Sequence, residues 1–251
     1  MKKRVVLIIQ ARMGSIRLPG KSMLNLAGKP LIKHILERVQ RCKKLDDIVL
    51  AIPDTSENLV LKTIGDASDI KVFSGSECNL LDRYYQAALW SKADIIVRLP
   101  ADNATPEPSE IDRIIDHHLR LGYRGFSSNL AEINNSGYPD GIGAEVFDFS
   151  LLEEANNKCS DPKMFEHVHL NFFDYMSGQA VDLNWCPVST IKCPIEFRRP
   201  DLILDVNTHE QYEFMQKLYE ALYLKNPNFH ITDIIYWYDN EYQKINNKSK
   251  I

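Results

Sequence analysis

Val5 to Ile9 form an unbroken apolar run behind a basic start, Lys2-Lys3-Arg4. A continuous run of this length predicts a central strand covered on both faces. The next apolar positions, Leu31, Ile32, Ile35, Leu36 and Val39, recur at helical spacing. Pro30 suits the first turn of that helix, and Arg38, Arg41, Lys43 and Lys44 suit its carboxyl end. "DDIVLAIP" (46–53) and "IKVFSG" (70–75) predict further strands, separated by a helix over 58–65. A helix over 80–91 would turn Leu81, Tyr84, Tyr85, Ala88 and Leu89 inward. "ADIIVRLPAD" (93–102) predicts a strand ending in an acidic loop, and 108–121 a helix. Strands alternating with helices predict a parallel, doubly wound sheet. Ligands of such sheets sit at the carboxyl ends of the strands, so the loop after Ile9 and the Asp102 loop share one rim.

The second half is less regular, and residues 122–200 are broken by turn signals. "GYPDGIGAEVFDF" predicts a turn and a strand, 151–157 and 163–176 helices, and "VDLNWCPVSTIKCP" an extended stretch. "DLILDVNTHEQYEFMQKLYEAL" reads as strand, polar turn and helix, with Tyr212, Met215, Leu218 and Leu222 inward. "FHITDIIYWYDNEY" predicts a last helix capped by Thr232, and the tail "NNKSKI" is expected to fray.

The chain has 251 residues, 44% hydrophobic and 25% charged, which suits a single domain over 1–251. Its formal net charge of -4 gives no global field for nucleic acid or an anionic membrane. The first 44 positions are rich in Lys and Arg, which points to a local anion site. No apolar run approaches the roughly 20 residues that span a bilayer. The amino-terminal run is too short for a signal peptide and lacks a small-residue cleavage site, so a cytoplasmic protein is expected. Five cysteines without a Cys-x-x-Cys pair predict free thiols.

The loop "ARMGSIRLPGKS" (11–22) ends like a phosphate-binding P-loop but departs from one. Gly14 and Gly20 are one residue too far apart, and Pro19 offers no N–H. A P-loop also runs straight into a helix, whereas here "SMLNLAGKP" intervenes. What remains is a polyanion clamp of Arg12, Arg17 and Lys21, three cations that would repel one another without a counter-charge. His167-x-His169 and His117-His118 lack further ligands at zinc spacing. Tyr236-Trp237-Tyr238 suit a helix face packed on the domain or on a dimer partner, so a homodimer stays open.

"IIQARMGSIRLPGKSMLNLAGKPLIKHILERV" resembles the amino-terminal signature of the cytidylyltransferase superfamily, which includes the CMP-sialic acid and CMP-ketodeoxyoctonate synthetases. The resemblance continues through "VFSGSECNLLDRYYQAA", "ADIIVRLPAD", "YPDGIGAEVF", "EHVHLNFF" and "LDVNTHEQYEFMQKLYEAL", and is strongest to the spore-coat polysaccharide SpsF-type branch. It implies a three-layer α/β/α, Rossmann-like nucleotide-diphospho-sugar transferase fold with a mixed, mostly parallel sheet. Residues 1–121 would bind nucleotide, and 122–251 the acceptor and a second metal ligand. The implied reaction is attack of a sugar or sugar-acid hydroxyl on the α-phosphorus of CTP, with Mg²⁺ as cofactor and pyrophosphate leaving, for surface polysaccharide or glycoconjugate synthesis.

The resemblance implies roles residue by residue. Arg12 and Lys21 match the triphosphate-binding pair, with Ser15 and Arg17 as lesser contacts and backbone donors along Ala11, Met13 and Gly14. Asp102 matches the first metal carboxylate; read alone, it is a turn or capping residue. Asp205 and Asn207 match the second metal site, although relatives commonly carry Asp at the position of Asn207. The alternative for Asn207 and Thr208 is to cap the next helix. Asp82 and Arg83 match a nucleotide-proximal pair, or form an ion pair on a helix surface. Tyr138, Asp140, Glu145, Glu166 and His167 match the acceptor-binding segments, and His167 suits a general base. Pro100 and Ala101 stand where relatives carry Thr or Gln and Gly. Two other readings stay open: a glycosyltransferase on the same type of sheet, and an inactive nucleotide-binding relative.

Overall fold

The computed structural model describes residues 2–129 and 136–244; the tail expected to fray lies outside them. Among the described residues one sheet contains β1 (Val5–Gln10), β2 (Asp47–Pro53), β3 (Lys71–Gly75), β4 (Ile95–Pro100), β5 (Phe126–Ser128), β6 (Glu145–Asp148) and β7 (Val188–Thr190). Their order is β7-β5-β6-β4-β1-β2-β3. β6 runs antiparallel to β4 and β5, and every other pairing is parallel. The sheet is mixed and mostly parallel, with strands from both halves of the chain.

Alternation along β1 explains the three layers, because successive side chains leave a strand on opposite faces. Val5, Leu7 and Ile9 join one apolar cluster with α1 (Leu31–Val39), α2 (Leu59–Asp66), α4 (Pro108–Arg120), α7 (His209–Leu222) and α8 (Ile231–Trp237). Val6 and Ile8 join the other with α3 (Leu80–Ser91) and α5 (Phe149–Lys158). All five are buried, so each contributes about 1.5–3 kcal/mol of transfer free energy. Both faces of β1 are thus fixed by packing, which sets the register of the loop that leaves its end.

Several expectations are corrected. Leu89 is half exposed; Leu80 and Ala87 complete the inner face of α3 instead. The helix expected over 163–176 stops early. A short helix α6 (Pro162–Glu166) ends at His167, whose φ of -116° and ψ of 82° break it, and a 3-10 turn, Val168–Asn171, follows. The stretch 201–206 keeps a strand's alternation, burying Leu202, Leu204 and Val206, but pairs only through the bridges Asn103–Asp205 and Asp140–Ile203. The last α-helix is capped at His230, whose N–H donates to Asp233, and not at Thr232. Trp237 and Tyr238 pack on Phe214. All five cysteines are free, and Cys186 and Cys193 lie in different core clusters. Among the described residues no helix is long and apolar enough to cross a membrane.

Candidate active site

A cleft of about 600 Å³ opens at the carboxyl ends of β1 and β4. These ends are adjacent, with Gln10 opposite Pro100. The loop after β1 is folded by its own backbone: the N–H groups of Ser15 and Gly20 both donate to the Met13 carbonyl. The Met13 N–H donates to Asn58 Oδ1 at 2.9 Å, which ties the loop to the start of α2. Gly20 takes φ +66°, a left-handed conformation that favours glycine. Lys21–Met23 then form one 3-10 turn, and α1 begins only at Leu31. No α-helix opens on the Gly-Lys-Ser ending, so the geometry is not that of a P-loop.

The three loop cations do not stand unpaired; each meets an acid or an amide across the cleft. Arg12 reaches Glu166 at 2.5 Å. Lys21 Nζ lies 3.2 Å from Asp102 Oδ2 and 3.1 Å from Asn207 Oδ1. Arg17 also donates to Asn207 Oδ1, at 3.2 Å. Internal partners thus hold the cations at the cleft.

The Val206 N–H donates to the Asp102 carbonyl at 2.9 Å, which joins the segment bearing Asp205 to the Asp102 loop. Gly141 makes this approach possible: with φ +88°, its added Cβ would lie 2.8 Å from Asp205 N. Thr208 and Gln211 form a capping box on α7, and the Asn207 N–H donates to Gln211 Oε1 at 2.7 Å. Thr208 therefore takes the capping role and leaves the Asn207 side chain free to donate to Asp205. The Asp205 carboxyl is pushed above its ordinary range by burial and by the charge of Asp102. Two carboxylates placed this close suit a cation between them. Among the described residues no three His, Cys, Asp or Glu side chains gather around a metal position. Asp102, Asp205 and the Asn207 carbonyl fit a hard cation that completes its shell with phosphate and water.

The opposite wall holds residues that the sequence reading passed over. Arg98, at the end of β4, donates to both oxygens of Glu145 at 2.8 Å and to Gln10 Oε1 at 3.2 Å. Tyr175 donates to Glu145 Oε1 at 3.0 Å. His169 lines the cleft beside Tyr175, and its buried Nδ1 has no hydrogen-bond partner. Burial lowers its pKa to about 4, so the imidazole is neutral at pH 7. An arginine inside the apolar run "IIVRLP" was the available signal for this wall, because a buried charge needs a partner.

The structure brings Ala11, Arg12, Ser15, Arg17, Lys21, Arg83, Asp102, Asp140, Glu145, Glu166, His167, Asp205 and Asn207 to the cleft. Arg83 is buried, donates to the Ser76 carbonyl at 2.8 Å, and has its pKa lowered to about 10 by burial. Four expected residues do not line it. Tyr138 is wholly buried, its hydroxyl donating to Glu110. Asp82 lies in the first turn of α3 and accepts from Gln86 at 3.2 Å. Met13 packs on the core, and Gly14 is exposed beside Glu57.

The cytidylyltransferase family model matches residues 6–226. Over 221 residues the chain is 31% identical to the spore coat polysaccharide biosynthesis protein SpsF of Bacillus subtilis (strain 168), covering 86% of each chain. It is 35% identical over 115 residues to the 3-deoxy-manno-octulosonate cytidylyltransferase of Anaeromyxobacter sp. (strain K), covering 45% of this chain and 46% of that one. A cytidylyltransferase from Leptospira borgpetersenii serovar Hardjo-bovis (strain JB197) superposes with a TM-score of 0.81 at 27% identity over 93% of both chains.

Proposed function

Because the chain belongs to the cytidylyltransferase family and is a nucleotidyltransferase, we propose that it transfers CMP from CTP to a hydroxyl of a sugar or sugar acid. Pyrophosphate leaves, Mg²⁺ is the cofactor, and the product feeds surface polysaccharide or glycoconjugate synthesis. The observation that carries this reading is the meeting of Arg12, Arg17 and Lys21 with Asp102, Asp205 and Asn207 across one cleft. Such a site offers cations for a triphosphate and oxygen ligands for the cation that accompanies it.

The acceptor oxygen bonds to the α-phosphorus, the bond from that phosphorus to the β-phosphate oxygen breaks, and the acceptor's hydroxyl proton is released. Arg12 can hold phosphate oxygens through two parallel N–H bonds, and Lys21 acts as a point charge. A divalent cation held by Asp102 and Asp205 would offset negative charge on the triphosphate and the leaving pyrophosphate. On binding, Lys21 exchanges Asp102 for phosphate, and Arg12 exchanges Glu166. The wall formed by Glu145, Tyr175 and His169 offers acceptors and donors for sugar hydroxyls. His167, beside Glu166, is the residue within this wall suited to take the acceptor's proton.

The test is pyrophosphate release with each of the four nucleoside triphosphates, Mg²⁺ and a panel of neutral and acidic sugars. Turnover is expected with CTP and one acceptor, and Asp102→Asn should abolish it. Hydrolysis of a UDP-sugar without triphosphate turnover would sink the proposal in favour of a glycosyltransferase.

A further inference from the structure

A second, much smaller pocket lies between α1 and the turn joining α7 to α8. β2 starts beside the start of β1, so the end of α1 that feeds it lies at the edge of the sheet away from the cleft. The pocket holds about 50 Å³, and its walls include Arg38, Arg41, Tyr219, Tyr223, Asn228 and Phe229. Arg38 is almost wholly buried. Its Nε donates to the Pro106 carbonyl at 2.9 Å and its Nη1 to the Phe229 carbonyl at 3.1 Å. Its Nη2 is buried without a hydrogen bond, 3.6 Å from Glu107. Arg41 donates from Nη1 to Asn228 Oδ1 at 3.2 Å, while its Nε and Nη2 are buried and unpartnered.

Nε and Nη2 form one edge of a guanidinium, the two-donor fork that fits two oxygens of a carboxylate or phosphate. Among the described residues no carboxylate lies within ion-pair distance of Arg41. The nearby acids are already engaged: Glu37 accepts from Lys29 at 2.8 Å, and Glu107 serves Arg38, His230 and the Ile231 N–H. Burial works against the charge of Arg38, and the neighbouring Arg41 adds to that. Leaving such donors unmet is costly, and an anion would answer both the charge and the hydrogen bonds.

We propose that this pocket binds a small oxyanion of the phosphate or carboxylate class: Arg41, whose Nε and Nη2 are closed to solvent in the free protein, turns that edge into the pocket to hold it, beside the charge of Arg38. A pocket of about 50 Å³ admits one such anion and excludes a nucleotide. The anion joins the end of α1 to the α7–α8 turn, so its binding is read as stability.

The experiment is thermal unfolding of the full chain against inorganic phosphate, and separately acetate, at constant ionic strength set with sodium chloride. The proteins are the wild type, Arg41→Met, Arg41→Lys and Lys21→Ala. The phosphate or acetate response of the wild type should persist in Lys21→Ala and require at least tenfold more anion in both Arg41 variants. Arg41→Lys keeps the charge and loses the fork, so it decides the matter if Arg41→Met does not fold. Phosphate acting alone selects a tetrahedral ligand; acetate acting equally selects the shared two-oxygen edge. A response lost in Lys21→Ala and unchanged in the Arg41 variants would assign all anion binding to the large cleft and overturn the proposal, as would no response in the wild type.

Discussion

Replacing Lys21 by alanine removes the ammonium that bridges Asp102 and Asn207 in the free protein, at 3.2 and 3.1 Å. In the complex this group would serve the triphosphate. A hydrogen bond to a charged group contributes about 1.5–3 kcal/mol. Against it stands the pair with Asp102, which must be given up and is worth about 0–1 kcal/mol at a partly exposed site. The difference, about 0.5–3 kcal/mol, predicts roughly 2- to 150-fold weaker CTP binding. Calorimetry with CTP and Mg²⁺ at fixed salt measures it, with a melting curve to establish that the variant is folded. A second sign separates this account from mere loss of structure. With Lys21 gone, Asp102 is released, so Mn²⁺ binding to the nucleotide-free protein should strengthen. A folded variant that binds CTP as tightly as wild type, or binds Mn²⁺ more weakly, would refute the exchange of partners.

Arg98→Met leaves Glu145 buried without its cation and should cost about 3–5 kcal/mol in urea unfolding; Arg98→Met with Glu145→Leu should recover part of that loss. Gly141→Ala forces a left-handed backbone, at about 1–2 kcal/mol, and pushes a methyl against Asp205 N. It should lower both the melting temperature and CTP affinity, whereas a change in melting temperature alone would separate Gly141 from the site. His169 has a folded pKa of about 4, below the ordinary 6.5, so the unfolded chain binds the proton more readily. Its contribution to stability is therefore full above 6.5 and declines as the pH falls toward 4; His169→Gln should flatten that part of a pH–stability curve.

The periodic parts of the chain were legible because packing and pattern agree there. Val5–Gln10, α1 and α7 lie where the apolar spacing puts them, and the loop cations lie on the predicted rim. The reading overran at 163–176 because Met164, Val168 and Phe172 keep helical spacing while the chain turns at His167. That turn carries His169 to the cleft, which no local pattern announces. Tyr138 misled in the opposite way: it is close in sequence to Asp140, but its hydroxyl is committed to Glu110. The partners of the loop cations, two acids and the Asn207 amide, lie 81, 154, 186 and 190 residues away, so their pairing is a property of the fold.

The most direct test of the account follows the label from radioactive CTP through a single turnover with Mg²⁺ and acceptor. With label on the α-phosphate, the account predicts that it appears in a nucleotide-sugar; with label on the γ-phosphate, it appears in pyrophosphate. Label from the α-phosphate found only in free CMP, or a γ-label released as inorganic phosphate, would contradict transfer of CMP to an acceptor.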